Sequence, residues 1–153
     1  MSPQTYGNPQ ITLAAGGSVQ GLDPAAPSPI GSFAAAMLVA RTPPGGYTLV
    51  GSITPIYRVT PPNDGLEHLY AVQGIVNVTS AQTGGQIRVS YYIAGTPQNV
   101  VLDAGAHAAG QYPFTTSLFM ADASVPGPSI VLSQNQPLTA GAAVLYAQIA
   151  QLT

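Results

Sequence analysis

Apolar and polar residues alternate along much of this chain, and a period of two is the pattern of a half-buried β-strand. Within the segment 47–59, every second position from Tyr47 to Val59 holds an uncharged and mostly apolar residue. In a strand, these residues would share one face. We predict one long strand there, with a bend at Gly51 or Pro55. The cluster Pro61–Gly65 is rich in proline and glycine, and it predicts a turn after that strand.

Two further segments alternate in the same way. The strand predicted over 69–78 has one apolar face, and Gly74 within it marks a β-bulge. The chain is then predicted to turn over 80–85. The strand over 87–93 follows, and it is the clearest hairpin partner in the sequence. The residues predicted to share one face are Tyr70, Val72, Val76 and Val78 in the first strand and Ile87, Val89, Tyr91 and Ile93 in the second.

Shorter apolar runs predict strands over 99–102, 114–120 and 130–133, while the glycine- and alanine-rich residues 104–113 predict a loop. The alternating face of the strand over 114–120 consists of Phe114, Thr116, Leu118 and Met120. Eight to ten strands at a spacing of roughly twelve residues, joined by glycine and proline turns, are typical of sandwiches, jelly rolls and barrels. We therefore predict an all-β fold, an antiparallel β-sandwich of the jelly-roll kind.

Two segments fit both a helix and a strand. In 31–42 an alanine run favours a helix with Ser32 as its N-cap, whereas the alternation from Phe33 to Val39 fits a strand. The segment 140–153 has the same ambiguity. There we favour a strand, because a closing strand completes the sheet.

Residues 1–30 differ from the rest because they contain five prolines and four glycines, which exclude a long helix or a central strand. We predict an extended arm over 1–30 and one β-domain over 31–153. The arm has apolar anchors in Tyr6, Ile11 and Leu13, and the last two share one face of a short strand that fits a sheet edge. Whether the arm lies on a neighbouring subunit or on its own domain stays open.

Charged residues are scarce, and their scarcity predicts that the domain is part of a larger assembly. Lysine is absent, and about a quarter of the residues of an ordinary soluble domain are charged, because charge keeps a surface hydrated and monomers apart. We therefore expect a homo-oligomer whose subunits cover much of their surface. The eight charged residues are Arg41, Arg58, Arg88, Asp23, Asp64, Glu67, Asp103 and Asp122.

The residue types that carry catalysis are few and scattered. His68 and His107 stand 39 positions apart without a second metal ligand at helical or hairpin spacing. Asp103 and His107 could join a serine in a hydrolytic triad, but no Gly-x-Ser-x-Gly elbow accompanies them. A calcium site could take its oxygen ligands from Asp64, Glu67 and Asp103, but the sequence around them has fewer carboxylates than calcium-binding loops have. We expect no enzyme activity, no catalytic residues, no metal site and no cofactor.

The composition also excludes several classes of partner. Three dispersed arginines in a chain of net charge −2 predict no nucleic-acid binding. The longest apolar run is too short to span a bilayer, and the first residues lack the pattern of a secretory signal, so we expect neither a membrane span nor a signal peptide.

Tyrosine is the commonest aromatic residue, and it suits interfaces because it has an apolar body and a polar tip. Consecutive strand residues face opposite ways, so Tyr91 and Tyr92 cannot both enter one core. The interface residues that we predict are Tyr6, Ile11, Leu13, Tyr91, Tyr92 and Tyr146.

Three features combine in this chain: the proline-rich residues 1–30, the alternating strands over 47–59, 69–78 and 85–93, and the C-terminal segment Pro137–Tyr146. This layout resembles that of the tailed-phage capsid decoration (cement) proteins, which are small, all-β and free of cysteine, and which often trimerise on the shell. The C-terminal segment is also similar to the last strands of trimeric jelly rolls of the tumour-necrosis-factor-like type. The chain departs from several decoration families in carrying less charge, and no site residue carries over.

The resemblance implies a structural virion protein on the exterior of the capsid. It would be a homotrimer that binds the major capsid protein after the shell has formed and stabilises the shell by bridging its subunits. Two alternatives remain: another virion component, such as a head fibre, tail or shell protein, and a small carbohydrate-binding β-sandwich module, for which exposed tyrosines would need a polar cluster around them.

Overall fold

The computed structural model describes residues 37–153, without the side chains of residues 115 and 116. The predicted arm over 1–30, including Tyr6, Ile11 and Leu13, lies outside the described residues, as do residues 31–36. The described part is all-β. Its strands are β1 (Met37–Arg41), β2 (Tyr47–Thr48), β3 (Thr54–Val59), β4 (His68–Gly84), β5 (Ile87–Ile93), β6 (Thr96–Asp103), β7 (Ala106–His107), β8 (Gly110–Ala121), β9 (Ile130–Gln134) and β10 (Leu138–Gln151).

The strands form two antiparallel sheets. In the six-stranded sheet, β10 and β4 are central; β1 and β2 pair with the free side of β10, while β7 and β8 pair with the free side of β4. The four-stranded sheet has the order β3-β9-β5-β6. The pairs are nested along the chain: β1 with β10, β3 with β9, β4 with β8 and β5 with β6. A long two-stranded ribbon rolled up in this way is a jelly roll, which confirms the predicted fold class.

One hydrophobic core lies between the two sheets. The alternation predicted for β4 and β5 is confirmed, because the residues of the predicted faces are buried, except for Ile93 at the end of β5, which is half-buried. The strand favoured over 140–153 is confirmed as β10, and the ambiguous segment 31–42 contains the strand β1. The largest fully buried apolar side chains are Tyr70, Val72, Val76, Ile87, Val89, Ile130, Leu132, Leu145 and Ile149.

The long strand predicted over 47–59 is wrong, because the segment is divided between the two sheets. Tyr47–Thr48 pairs with β10, whereas Thr54–Val59 pairs with β9. Gly51 lies in the connection, where the chain crosses from one sheet to the other. Burial of the predicted apolar face is interrupted at this crossing: Leu49 and Val59 are buried, whereas Ile53 is 65% exposed.

The residues expected to alternate on one face of the strand over 114–120 do not share a face, because Phe114 packs against the core. Leu118 is 60% exposed, whereas Phe119 is buried. The cause is a bulge opposite Gly74, which was predicted in β4 but lies in β8: Val72 pairs with Ser117 and Gly74 pairs with Phe114, so β8 has one extra residue there. An extra residue moves every later side chain to the opposite face.

Three smaller expectations about the connections need correction. The predicted loop over 104–113 contains β7 and the first residues of β8, and the predicted turn over 80–85 is still strand as far as Gly84. The strand β5 forms its hairpin with β6 rather than with β4. The reason is that β4 and β5 belong to different sheets, so the short turn between them joins the two sheets instead of closing a hairpin within one.

Candidate functional site: an uncharged end of the sandwich

The connections between strands form two ends of the sandwich that differ in charge. One end, which we call the acidic end, is formed by the connections 60–67, 94–95 and 122–129. The other, which we call the uncharged end, is formed by 49–53, 85–86, 104–109 and 135–137. The sheet register sorts them, since β4 starts beside the end of β8 and finishes beside the start of β10.

The acidic end holds Asp64, Glu67 and Asp122 in its connections. The Asp64 carboxylate accepts a hydrogen bond from His68 Nε2 at 3.0 Å and another from the Leu66 backbone N–H. These bonds, with that from His68 as the larger cause, lower the pKa of Asp64 from its ordinary value. Asp64 therefore stays ionised at neutral pH, and so this end presents negative charge to solvent.

Asp122 also has a structural task at the acidic end. Ala94 and Gly95 both have positive φ in the two-residue turn between β5 and β6, as a type I′ hairpin turn requires. The Ala94 N–H donates to Asp122 Oδ2 at 2.8 Å. Hydrogen bonds from the Ser124 hydroxyl, then from the backbone N–H groups of Ala94 and Ser124, lower the pKa of Asp122.

The uncharged end presents apolar and small side chains instead. Ile53 is 65% exposed, and Val50 is exposed beside it. Ala104, Ala106, Ala108 and Ala109 are also exposed, on the connection between β6 and β8. Within the described residues, the connections at this end contain no lysine, arginine or carboxylate. Alanine loses no side-chain entropy on burial, so this surface has a low cost of association.

The connections at the uncharged end are tied together by hydrogen bonds. The Val50 N–H donates to Gln134 Oε1 at 2.9 Å, and the Val50 carbonyl accepts from the Leu138 N–H at 2.9 Å. The Asn135 N–H donates to the Gln86 carbonyl at 2.7 Å. Gln134 itself is fully buried. These bonds hold the surface in one arrangement before any partner arrives, which lowers the cost of binding.

Asp103, at the last residue of β6, is the carboxylate nearest this end, and it points inward. Its Oδ1 accepts a hydrogen bond from His107 Nε2 at 2.5 Å, and the His107 ring stacks on Tyr112 at a centroid distance of 3.9 Å. The other oxygen, Oδ2, is buried and has no hydrogen-bond partner. The pair anchors the connection 104–109, and it keeps the carboxylate out of the exposed surface.

The structure places the predicted interface tyrosines in three different settings. Tyr91 is buried and stacks on Phe119 at 4.4 Å, so its ring belongs to the core and we remove it from the interface set. Tyr92 is half-buried on the outer face of the four-stranded sheet. Tyr146 is 42% exposed on the outer face of the six-stranded sheet. As predicted, the two adjacent tyrosines face opposite ways.

The two histidines, predicted to be unrelated to any site, each bind an aspartate four residues earlier. Within the described residues, no group of three or more metal-binding side chains comes together. No helix in this part of the chain is long and apolar enough to cross a membrane.

Sequence reasoning missed Val50 and Ile53, because it placed both inside one long strand. Gly51 between them was the signal for a connection. A scan against protein-family models finds no match to this chain, and a search of the curated proteins finds none either.

Proposed function

We propose that this protein is a structural virion component, a capsid decoration protein that binds the outer surface of the assembled shell as a homotrimer. The shell, formed by the major capsid protein, contacts the uncharged end, and the acidic end points to solvent. The observation that carries the proposal is the separation of charge between the two ends of a jelly roll.

The chemistry of the uncharged end supports a permanent protein contact. Burying apolar area contributes roughly 25 cal/mol per Å², and no charge has to be stripped of water in the process. A contact of this kind changes little with salt, because screening acts on charges. The acidic end supports the orientation, since like charges on the outside of neighbouring particles repel one another.

In mechanism, the protein binds only the assembled shell and bridges neighbouring capsid subunits. Any ligand that binds one state alone stabilises that state by mass action. Three copies of the uncharged end in one trimer add avidity, so even a weak single contact gives firm attachment. The shell then resists disassembly by heat or by internal pressure.

The test uses particles whose genome encodes this chain, stripped of the protein and then mixed with purified protein. Co-sedimentation at 1 M NaCl measures attachment, and light scattering measures the mass of the free protein. We expect a trimer that stays attached at high salt. The variant Ile53→Asp should lose attachment, because it places a charge in the contact.

The matched control is Leu66→Asp. Leu66 is 61% exposed, close to the exposure of Ile53, but it lies at the acidic end. We expect this variant to bind normally. Release of the wild type by 1 M NaCl, a monomer in solution, or equal binding by the two variants would each contradict the proposal.

A further inference from the structure

A groove of about 690 Å³ lies on the outer face of the six-stranded sheet, away from both ends of the sandwich. It crosses β1, β10, β4 and β8, so strands rather than mobile loops form its walls. Its volume falls within the range of pockets that hold small ligands, roughly 300–1,000 Å³. Five of the side chains that line it are Arg41, Gln148, Gln73, Tyr146 and Ile75.

Strand register arranges these side chains in two rows across the sheet. Arg41 pairs with Gln148, and Gln148 pairs with Gln73, which gives a polar row with steps of about 4.8 Å between strands. The neighbouring row, roughly 7 Å away along the strands, consists of Tyr146, Ile75 and Pro113. A line of hydrogen-bonding groups therefore runs beside an aromatic and aliphatic line.

Two glycines allow the backbone to pack closely at and beside the groove. A Cβ atom on Gly74 would lie 2.7 Å from Phe114 Cζ and would also meet the Tyr146 carbonyl oxygen, so only glycine fits this floor position. A Cβ atom on Gly46 would lie 3.0 Å from Tyr146 Cε1. Gly46 thus lets its backbone approach the edge of the Tyr146 ring. The ring is 42% exposed and remains available to a ligand.

The lining matches a sugar better than it matches other small molecules. A pyranose ring has a hydroxyl-bearing rim and an apolar C–H face, which suit the amide row and the tyrosine row respectively. Among the residues that the structure describes, no carboxylate lines the groove, and Arg41 is the one charged lining residue. A guanidinium group binds a carboxylate through two parallel hydrogen bonds. We propose that this groove binds a saccharide that contains a carboxylate-bearing pyranose.

In this arrangement, the sugar carboxylate lies on Arg41, a hydroxyl bonds to Gln148, and the C–H face packs on Tyr146. The site is independent of the proposed shell contact, because the groove and the uncharged end share no residue. Loss of sugar binding therefore leaves shell attachment unchanged, and the reverse also holds.

The test applies the full chain to an array of glucuronate-, galacturonate- and sialate-terminated glycans, each beside its neutral counterpart. The best acidic glycan and its counterpart are then titrated by calorimetry. We expect the acidic glycan to bind on the order of tenfold more tightly, the difference that one charge-assisted contact supplies. Arg41→Gln should abolish that preference, and Tyr146→Ala should weaken binding of both glycans.

Arg58→Gln is the matched control, since Arg58 lies in the edge strand of the other sheet. It should change nothing. Circular dichroism shows that each variant is folded, and NMR of the Gln148 side-chain amide gives a second readout in the wild type. Failure of every acidic glycan to bind, binding that survives Arg41→Gln and Tyr146→Ala, or self-association through Tyr146 in place of sugar binding would overturn the proposal.

Discussion

The substitution His107→Ala should destabilise the protein more than Asp103→Asn, which neutralises the partner of His107. Asp103 is only 8% exposed, and His107 Nε2 donates to its Oδ1 while Oδ2 has no partner. His107→Ala therefore leaves a buried carboxylate without a donor, a change that costs about 3–5 kcal/mol in other proteins. The His107 side chain is 20% exposed, so water reaches part of the vacated space. We expect a loss of about 3 kcal/mol.

Asp103→Asn keeps the size of the side chain and removes its charge. We expect this change to cost about 1–2 kcal/mol, because it weakens one hydrogen bond without leaving a buried charge. In the His107→Ala background, the same Asp103→Asn change should be stabilising by about 1 kcal/mol, since the charge that lacks a partner disappears. The pair therefore predicts that Asp103→Asn is destabilising in the wild type but stabilising in the His107→Ala variant.

Urea unfolding at pH 7 measures the four corners of this cycle. With an m value of about 2 kcal/mol/M, a loss of 3 kcal/mol moves the midpoint by about 1.5 M. Asp64→Asn is the control, because Asp64 forms the same kind of pair with His68 but is exposed, and its effect should be much smaller. A smaller loss of stability for His107→Ala than for Asp103→Asn would refute this role of the pair.

Four more outcomes are expected. Phe119→Ala removes the ring stacked on Tyr91 across the core and should cost about 3–5 kcal/mol, seen as a melting temperature lower by about 10–15 °C; an unchanged melting curve would contradict the buried position of Phe119. Ala94→Gly should stabilise by about 0.5–1 kcal/mol in urea, because alanine is strained at φ 48°; a loss of stability would argue against that turn. The pKa of Asp122 is lowered in the folded state, so its contribution to the free energy of unfolding is present above the ordinary value of 3.8 and is lost as pH falls through the lowered pKa. Asp122→Asn should therefore make the free energy of unfolding depend less on pH in acid. Unchanged acid unfolding curves would count against the hydrogen bonds to the Asp122 carboxylate. Deleting residues 1–30 should weaken shell binding while circular dichroism still shows a folded β-domain; full binding would dismiss the arm as a contact.

Local alternation was enough to identify the faces of the strands that lie wholly within one sheet. The inward residues of β4 and β5 could be identified directly, because side chains in a strand alternate whatever the strand pairs with. Glycine and proline clusters marked most of the turns for an equally local reason, the restricted φ that they require or allow. An all-β class therefore followed from the sequence.

Pairing and register were decided only in three dimensions. The division of 47–59 between two sheets and the reversed face of β8 after its bulge both depend on contacts with distant strands. Local periodicity contains no information about which strand lies alongside. The same limit applies to the bond between His107 and Asp103, since proximity in sequence predicts a hydrogen bond only once the turn between them is known.

For the candidate sites too, the sequence determined one part and the tertiary structure determined the rest. The scarcity of charge is a property of the sequence, and it led directly to the expectation of a surface covered by partners. The sorting of that charge required the jelly-roll connectivity, which gathers Asp64, Glu67 and Asp122 at one end and, within residues 37–153, leaves the connections at the other end without charge. The groove beside Tyr146 likewise exists only because register brings Arg41, Gln148 and Gln73 into one row from three strands. Sequence determines which groups a chain carries; the tertiary fold, through contacts between residues far apart in the chain, determines which of them meet.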